Sequence, residues 1–297
     1  MKILITGARG QLGRSLQERL NTRSGVELLV CDRELLDISS DTDVASCLTR
    51  HRPDLLINAA AYTAVDQAES DQENAYKINA TGPGILAKHC DRLGIPLTHI
   101  STDFVFDGSN TTPYREADPC RTLSVYGQTK LEGEQLVREL HPQSLIVRTS
   151  WVFSRHGGNF VKTMLRLMNE RESLRVVGDQ RGCPTSAGDL ADAVIALSYK
   201  AINDPSLYGT YHFCNQGETS WYLFARTVFQ QATELGLIKN DCSLHSIATT
   251  EYPTAAERPA YSVLDTQKLS LALTESPRPW PDALYTMLTE LKDSLDG

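Results

Sequence analysis

Tyr126 and Lys130 stand four residues apart within residues 124–140, a stretch whose pattern predicts a helix, so both side chains leave one face of it. Thr102 follows the apolar run at 97–101, which predicts a strand, and stands at that strand's carboxyl end. A phenol, an amine and a hydroxyl so arranged suit the reduction of a ketone by hydride. The carbonyl oxygen gains negative charge as hydride arrives, so a proton donor must be close and a hydrogen bond must fix the carbonyl. Tyr126 and Thr102 are the candidates. A free phenol has a pKa of about 10, and the Lys130 ammonium is expected to lower it by stabilising the phenolate. Ser101 and Ser150 lack a Gly-x-Ser-x-Gly setting and no histidine stands in a motif, so nucleophilic catalysis has no comparable support.

The hydride donor is legible at the start of the chain. Gly7, Gly10 and Gly13 follow the apolar run Ile3-Leu4-Ile5, and Gln11 and Leu12 open a predicted helix. Glycines let a strand turn sharply into a helix and bring amide N–H groups close to a pyrophosphate, which the positive end of the helix favours. The Gly-x-x-Gly-x-x-Gly spacing differs from the broader Gly-x-Gly-x-x-Gly and leans toward short-chain dehydrogenase-like proteins. Asp32 ends the second predicted strand, where an acid accepts from an adenosine ribose and favours NADH. Arg33 follows it and suits a 2′-phosphate, so the pair leaves NADPH and NADH both open. Asp37 and Ile38 are placed to touch the adenine, and Asn58-Ala59-Ala60-Ala61 ends the third strand in small residues that let backbone lie along the cofactor. Lys130 is further expected to bond the nicotinamide ribose.

The chain has 297 residues, 41% hydrophobic, enough for a sizeable core in one large α/β unit or two joined lobes. Its formal net charge of -8 and its lack of a Lys/Arg block argue against nucleic acid or an anionic membrane and for a small-molecule partner. Met1 to Gly7 holds too short an apolar run for a signal segment or a spanning helix. The seven cysteines contain no Cys-x-x-Cys pair, and no His cluster has ligand spacing; both fit a cytoplasmic protein without structural zinc.

Short apolar strands alternate with helices through the first half, at 2–6, 27–32, 55–58, 97–101 and 144–148, with helices near 11–20, 41–51, 72–93 and 124–140. This predicts an α/β fold, a Rossmann-type doubly wound parallel sheet with right-handed crossovers. Beyond Trp151 the rhythm loosens into a smaller, interleaved C-terminal substrate lobe. A helix near 189–200 and a strand near 210–214 are expected to rejoin the main sheet. The expected division is residues 1–150 with about 187–215 for the dinucleotide, and about 151–186 with 216–297 for the substrate, closed by a helix at 281–295.

Several segments together resemble the dTDP-4-dehydrorhamnose reductase family of extended short-chain dehydrogenase/reductases. They are Gly7-Ala8-Arg9-Gly10-Gln11-Leu12-Gly13, Asn58-Ala59-Ala60-Ala61-Tyr62-Thr63 through Glu69, Ser101-Thr102-Asp103-Phe104-Val105-Phe106-Asp107-Gly108, Tyr126-Gly127-Gln128-Thr129-Lys130, Arg148-Thr149-Ser150-Trp151-Val152-Phe153, Asp179 through Thr185, and Arg258-Pro259. The resemblance implies reduction of the C4 ketone of dTDP-4-dehydro-L-rhamnose with NADPH or NADH, giving dTDP-L-rhamnose for cell-surface polysaccharide. It implies cofactor contacts at Gly10, Gln11, Leu12, Asp32, Asp37, Ile38, Ala61, Tyr62 and Thr63, and sugar contacts at Thr102 and Asp103. Tyr126 becomes the proton donor, Lys130 its partner on the ribose, and Trp151 packs against the substrate. Arg258 has two readings, a phosphate contact or a structural ion pair.

Some family members bind Mg2+ at a dimer contact through acids on the helix after the Pro-Thr pair. Gly188 stands here where a glutamate is expected, so no metal is expected, and Asp189 and Asp192 are expected to be solvated. Monomer and homodimer both remain open. So do two other uses of the fold: an epimerase or dehydratase that borrows hydride and returns it, and a non-catalytic NADP-binding regulatory subunit, like the β subunit of methionine adenosyltransferase.

Overall fold

The computed structural model describes residues 1–296. Five apolar runs form strands β1 (Lys2–Thr6), β2 (Glu27–Cys31), β3 (Leu55–Asn58), β4 (Leu97–Thr102) and β5 (Ser144–Thr149). With the strand Gly209–His212 they make one parallel sheet, in the order β2, β1, β3, β4, β5, Gly209–His212. β3 and β5 are buried along their whole length, whereas β2, at the edge, is half exposed. That is why β3 and β5 read as continuous apolar runs. The order reverses between β1 and β3, and ligands of such sheets bind at that reversal, beyond the carboxyl ends of the strands.

Helices α1 (Gln11–Asn21), α2 (Asp41–His51), α3 (Val65–Ala68), α4 (Gln72–Tyr76), α5 (Gly82–Leu93) and α6 (Val125–Leu140) follow in chain order. After them come α7 (Phe160–Glu170), α8 (Ala187–Asn203), α9 (Trp221–Glu234), α10 (Gln267–Leu273) and α11 (Trp280–Asp296). Alternate strand residues face opposite layers. Ile3, Ile5, Leu55, Ile57 and Val147 pack with α1 and α8, while Leu4, Leu56 and Ile146 pack with α2, α5 and α6. A separate apolar cluster, including Phe153, Met164, Leu174, Phe224, Trp280 and Leu284, joins α7, α9 and α11 to the parallel pair Ser173–Val177 and Ser243–Ile247.

The helical path expected over 72–93 is continuous but changes its winding midway. α4 ends at Tyr76, Lys77–Thr81 is a π turn, and α5 begins at Gly82. Asn79 at its centre accepts from the Tyr62 N–H at 2.8 Å and donates to the Tyr62 carbonyl at 3.1 Å and to Thr129 Oγ1 at 3.2 Å. A π turn brings one residue out of helical register, and here it delivers Asn79 to the loop after β3 and to α6. A Cβ at Gly133 on α6 would collide with the Asn79 carbonyl oxygen.

α6 is fastened to the sheet by Arg148 of β5 and Glu134, with Nε–Oε1 at 2.8 Å and Nη2–Oε2 at 2.7 Å. Both side chains are buried. Removing one partner leaves a buried uncompensated charge, so Glu134→Ala is expected to cost about 3–5 kcal/mol by chemical denaturation. Replacing both partners by leucine should recover most of that loss.

Candidate active site

A cleft of about 890 Å³ runs along the carboxyl ends of the sheet strands. Gly7, Gly10, Gln11, Leu12, Asp32, Arg33, Asp37, Ile38, Ala61, Thr63, Tyr126 and Lys130 all line it, so most residues singled out from sequence meet there. Gly7 has φ +68°, and a Cβ on it would lie 2.5 Å from the Ala59 carbonyl oxygen. A Cβ on Gly13 would collide with the Gly7 carbonyl oxygen, so Gly13 is what lets α1 start against the loop. Gly10 caps α1, and neither a side-chain cap nor an acid stands in the first turn. The first amides of α1 are thus left for an anion.

At the far end of the cleft Asp32 is already engaged. Its Oδ1 accepts from the Glu34 and Leu35 amides at 3.0 and 3.1 Å, and its Oδ2 pairs with Arg9 at 2.7 Å. The ribose acceptor expected there is instead a carboxylate that shares Arg9 with Glu34, 3.1 Å from the same nitrogen, and Arg33 lines the same end. Arg9 was missed in the sequence reading, although a cation inside the glycine motif is a visible signal. Asp37 accepts from the Ser39 hydroxyl and amide, and these bonds, the hydroxyl foremost, hold its carboxyl below the usual range. Gln11 Oε1 accepts from Ser154 at 3.0 Å and Asn159 at 2.9 Å, tying α1 to the second cluster's loop.

Six expected contacts, Gly13, Tyr62, Thr102, Asp103, Trp151 and Arg258, lie off the lining of this cleft. The Tyr62 hydroxyl donates to Asp71 at 3.0 Å, while Asn79 holds its backbone. Trp151, at φ +47°, stacks on Trp221 with centroids 3.6 Å apart, in the space that Gly182 leaves open. Arg258 takes the ion-pair reading, with Nη2 2.7 Å and Nη1 3.0 Å from the Asp66 carboxylate.

Tyr126 and Lys130 lie on the buried face of α6, and Ser124 caps the helix just before them by accepting from the Gly127 N–H. Lys130 Nζ donates to the Ile100 carbonyl at 2.6 Å and lies 3.3 Å from His99 Nε2. Burial pushes the Tyr126 phenol up to about 12, the Thr102 hydroxyl drawing it down and the Asp103 charge adding to the rise. The expected acidification by Lys130 is therefore overturned. Burial also pushes the Lys130 amine down to about 8, against the pull of Glu134. The ammonium is bonded to the Ile100 carbonyl, and burial is the larger influence on the phenol. Tyr126 is a neutral phenol at physiological pH, the form that donates a proton.

Thr102 is buried, donates to Asp103 Oδ1 at 3.0 Å and accepts from the Phe104 amide. Burial raises Asp103 to about 6. Thr149, opposite Thr102 in register, lines the cleft with a buried Oγ1 that has no partner among the described residues. A polar ligand at this end would satisfy it.

Asp189 is ion-paired and largely shielded, which corrects the expectation of solvation, while Asp192 pairs with an arginine but stays half exposed, as expected. Arg278 reaches both Asp189 oxygens at 2.8 Å, Asn215 adds a bond at 2.6 Å, and Asp192 meets Arg19 at 3.0 Å. Arginines that already hold the carboxylates make a poor donor set for a divalent cation. No helix among the described residues is long and apolar enough to cross a membrane.

Glycine loop, free helix amides and a buried phenol beside an amine serve hydride transfer from a dinucleotide, which is the chemistry of a short-chain dehydrogenase-type oxidoreductase. The comparisons carry this further. A family model described as RmlD substrate binding domain matches residues 1–293, and the chain belongs to that family. It is 44% identical to the dTDP-4-dehydrorhamnose reductase of Aggregatibacter actinomycetemcomitans, covering 95% of this chain and 97% of the relative. A dTDP-4-dehydrorhamnose reductase structure from Clostridium acetobutylicum superposes with a TM-score of 0.91 at 42% identity, covering 98% of this chain and 100% of that one. One from Bacillus anthracis in complex with NADP gives 0.89 at 40%, covering 97% and 99%.

Because Lys130 is charged with difficulty in the fold, its cost to stability is complete below pH about 8 and fades as pH rises through 10.5, where the unfolded lysine also loses its proton. Lys130→Met is thus expected to raise stability near pH 7 by on the order of 1–3 kcal/mol. Denaturation at a series of pH values should show that gain shrinking in alkali.

Proposed function

We propose that this protein reduces the C4 ketone of dTDP-4-dehydro-L-rhamnose to the alcohol of dTDP-L-rhamnose, in nucleotide-sugar biosynthesis for polysaccharide. The observation that carries the reading is the buried Tyr126–Lys130 face of α6, lining the cofactor cleft beside the end of β4. NADPH, when bound, supplies the hydride. The Tyr126 hydroxyl gives its proton to the C4 oxygen as the carbonyl carbon is reduced, while the Thr102 hydroxyl orients that oxygen. Lys130 bonds the ribose and supplies positive charge near the phenolate left behind.

The α1 amides and the Gly7–Gly13 loop receive the pyrophosphate, and Ala61 and Thr63 flank the adenosine side. NADPH is favoured over NADH because two guanidiniums, Arg33 and the Arg9 that faces both Asp32 and Glu34, together suit a 2′-phosphate. We assign residues 1–150 with about 187–215 to the dinucleotide, and 151–186 with 216–297 to a lobe that meets the sugar, with Asp103 and the Trp151–Trp221 stack at the junction. A cytoplasmic setting accords with seven free cysteines.

Supplied with dTDP-4-dehydrorhamnose, the protein should consume one NADPH per product, read as loss of its absorbance. Product formation without net loss would mean borrowed hydride and an epimerase-like reaction. Tyr126→Phe is expected to lower turnover by at least ~10²-fold with NADPH affinity little changed. Arg9→Ala should weaken NADPH by about tenfold, the worth of one charge-assisted hydrogen bond, and leave NADH unweakened in a fluorescence titration.

A further inference from the structure

Beneath the cleft a line of buried polar groups crosses the sheet from β1 to α6. Thr6 Oγ1 donates to Asn58 Oδ1 at 2.7 Å, Asn58 Nδ2 lies 2.9 Å from His99 Nδ1, and His99 Nε2 lies 3.3 Å from Lys130 Nζ. All four residues are at most 1% exposed. Strand register assembles the line, with Thr6 opposite Asn58 and Asn58 opposite His99.

The hydrogen positions follow from one donor whose identity is beyond choice. The Ala60 backbone N–H meets the Asn58 side chain at 3.1 Å, and a backbone N–H only donates, so the atom it meets is the amide oxygen. The other amide atom is then NH2, which only donates, and the atom it faces is His99 Nδ1. Burial, with the Lys130 charge adding to it, holds His99 well below its usual pKa, so the ring is neutral. A neutral ring that accepts at Nδ1 carries its proton on Nε2, aimed at Lys130 Nζ.

We propose that His99 is a positioning residue for Lys130: Thr6 and Asn58 lock it in the Nε2–H tautomer, so that it presents Nζ with a donor rather than an acceptor and lowers the amine's affinity for a proton. Tyr126 and Glu134 on α6 and His99 on β4 are the titratable groups around Nζ, with Arg148 of β5 behind Glu134 and Asp103 beyond Tyr126. Glu134 favours the ammonium, but its oxygens are shared with Arg148 and Arg138. Burial pushes the amine down to about 8 against Glu134, and the His99 donor acts in the same direction as that burial. Near neutrality such an amine keeps its proton, and negative charge entering the site holds it there to higher pH. The inference deepens the reductase reading and rests on it for the use made of that charge; the tautomer and the titration belong to the cofactor-free protein.

Cofactor-free protein with 15N-labelled histidine provides the first test. A two-bond 1H–15N correlation spectrum is expected to report the Nε2–H tautomer for His99, and an Nδ1–H tautomer overturns the proposal. This spectrum of the unsubstituted chain decides even where a variant does not fold. Asn58→Asp presents an acceptor on both atoms, which moves the ring proton to Nδ1 and turns the Nε2 lone pair toward Lys130. The Lys130 pKa, followed in 13C-lysine-labelled protein, should then rise by about one unit or more. A new carboxylate charge alone would do the same, so Asn58→Asp is also measured with His99→Leu, where most of the rise must vanish. A rise that persists there overturns the relay through His99. The alkaline limb of the NADPH-oxidation profile should move with the Lys130 pKa, a shift that a packing defect would not give. A fixed limb alongside a moved Lys130 pKa would instead overturn the use of Lys130 in the reaction.

Discussion

Everything at the reacting end depends on α6 lying close against the sheet. Two glycines and one ion pair bring it there. A side chain at Gly127 would collide with the Phe104 carbonyl, and one at Gly133 with the Asn79 carbonyl. Between these close approaches and the strand, Glu134 reaches Arg148 through two bonds that exclude water. A helix seated less deeply would leave Tyr126 and Lys130 in solvent, where neither group would differ from its free counterpart.

Deep seating decides which electrostatic effect wins. Nearness of an ammonium to a phenol argues for a lowered phenol pKa, yet burial penalises both charged forms at once and is the largest influence on each. The result suits the reductive direction. A neutral phenol can deliver its proton as charge develops on the substrate oxygen, with the Lys130 ammonium on the same helix face. The same burial makes the polar column below the cleft obligatory, since His99 and Asn58 must find partners inside the protein.

At the opposite end of the cleft, local pairing rewrites the meaning of one acid. Asp32 reads as a ribose acceptor in isolation, but Arg9 brings it a guanidinium from the glycine loop. The second apolar cluster is coupled to this region through Gln11, whose side chain leaves the first turn of α1 for Ser154 and Asn159. The cofactor loop and the smaller cluster therefore share hydrogen bonds.

Local pattern was enough for much of the architecture. The five N-terminal strands, the glycine turn into α1 and the Tyr126–Lys130 face all follow from periodicity and spacing, because each depends on neighbours within a few residues. The π turn at Lys77–Thr81 had no such signal, since it answers to Tyr62 and Gly133, remote in sequence. Nor did the pairing of Asp32 and Asp189, the bond from Tyr62 to Asp71 or the stacking of Trp151 on Trp221. His99 belongs to no motif and acquires its place only when β3, β4 and α6 meet. The amino-acid order by itself determined which chemical groups the protein has and which element carries each. Charge states, tautomer and partners were left to tertiary structure, because desolvation and hydrogen bonding between distant segments exist only once the chain is packed.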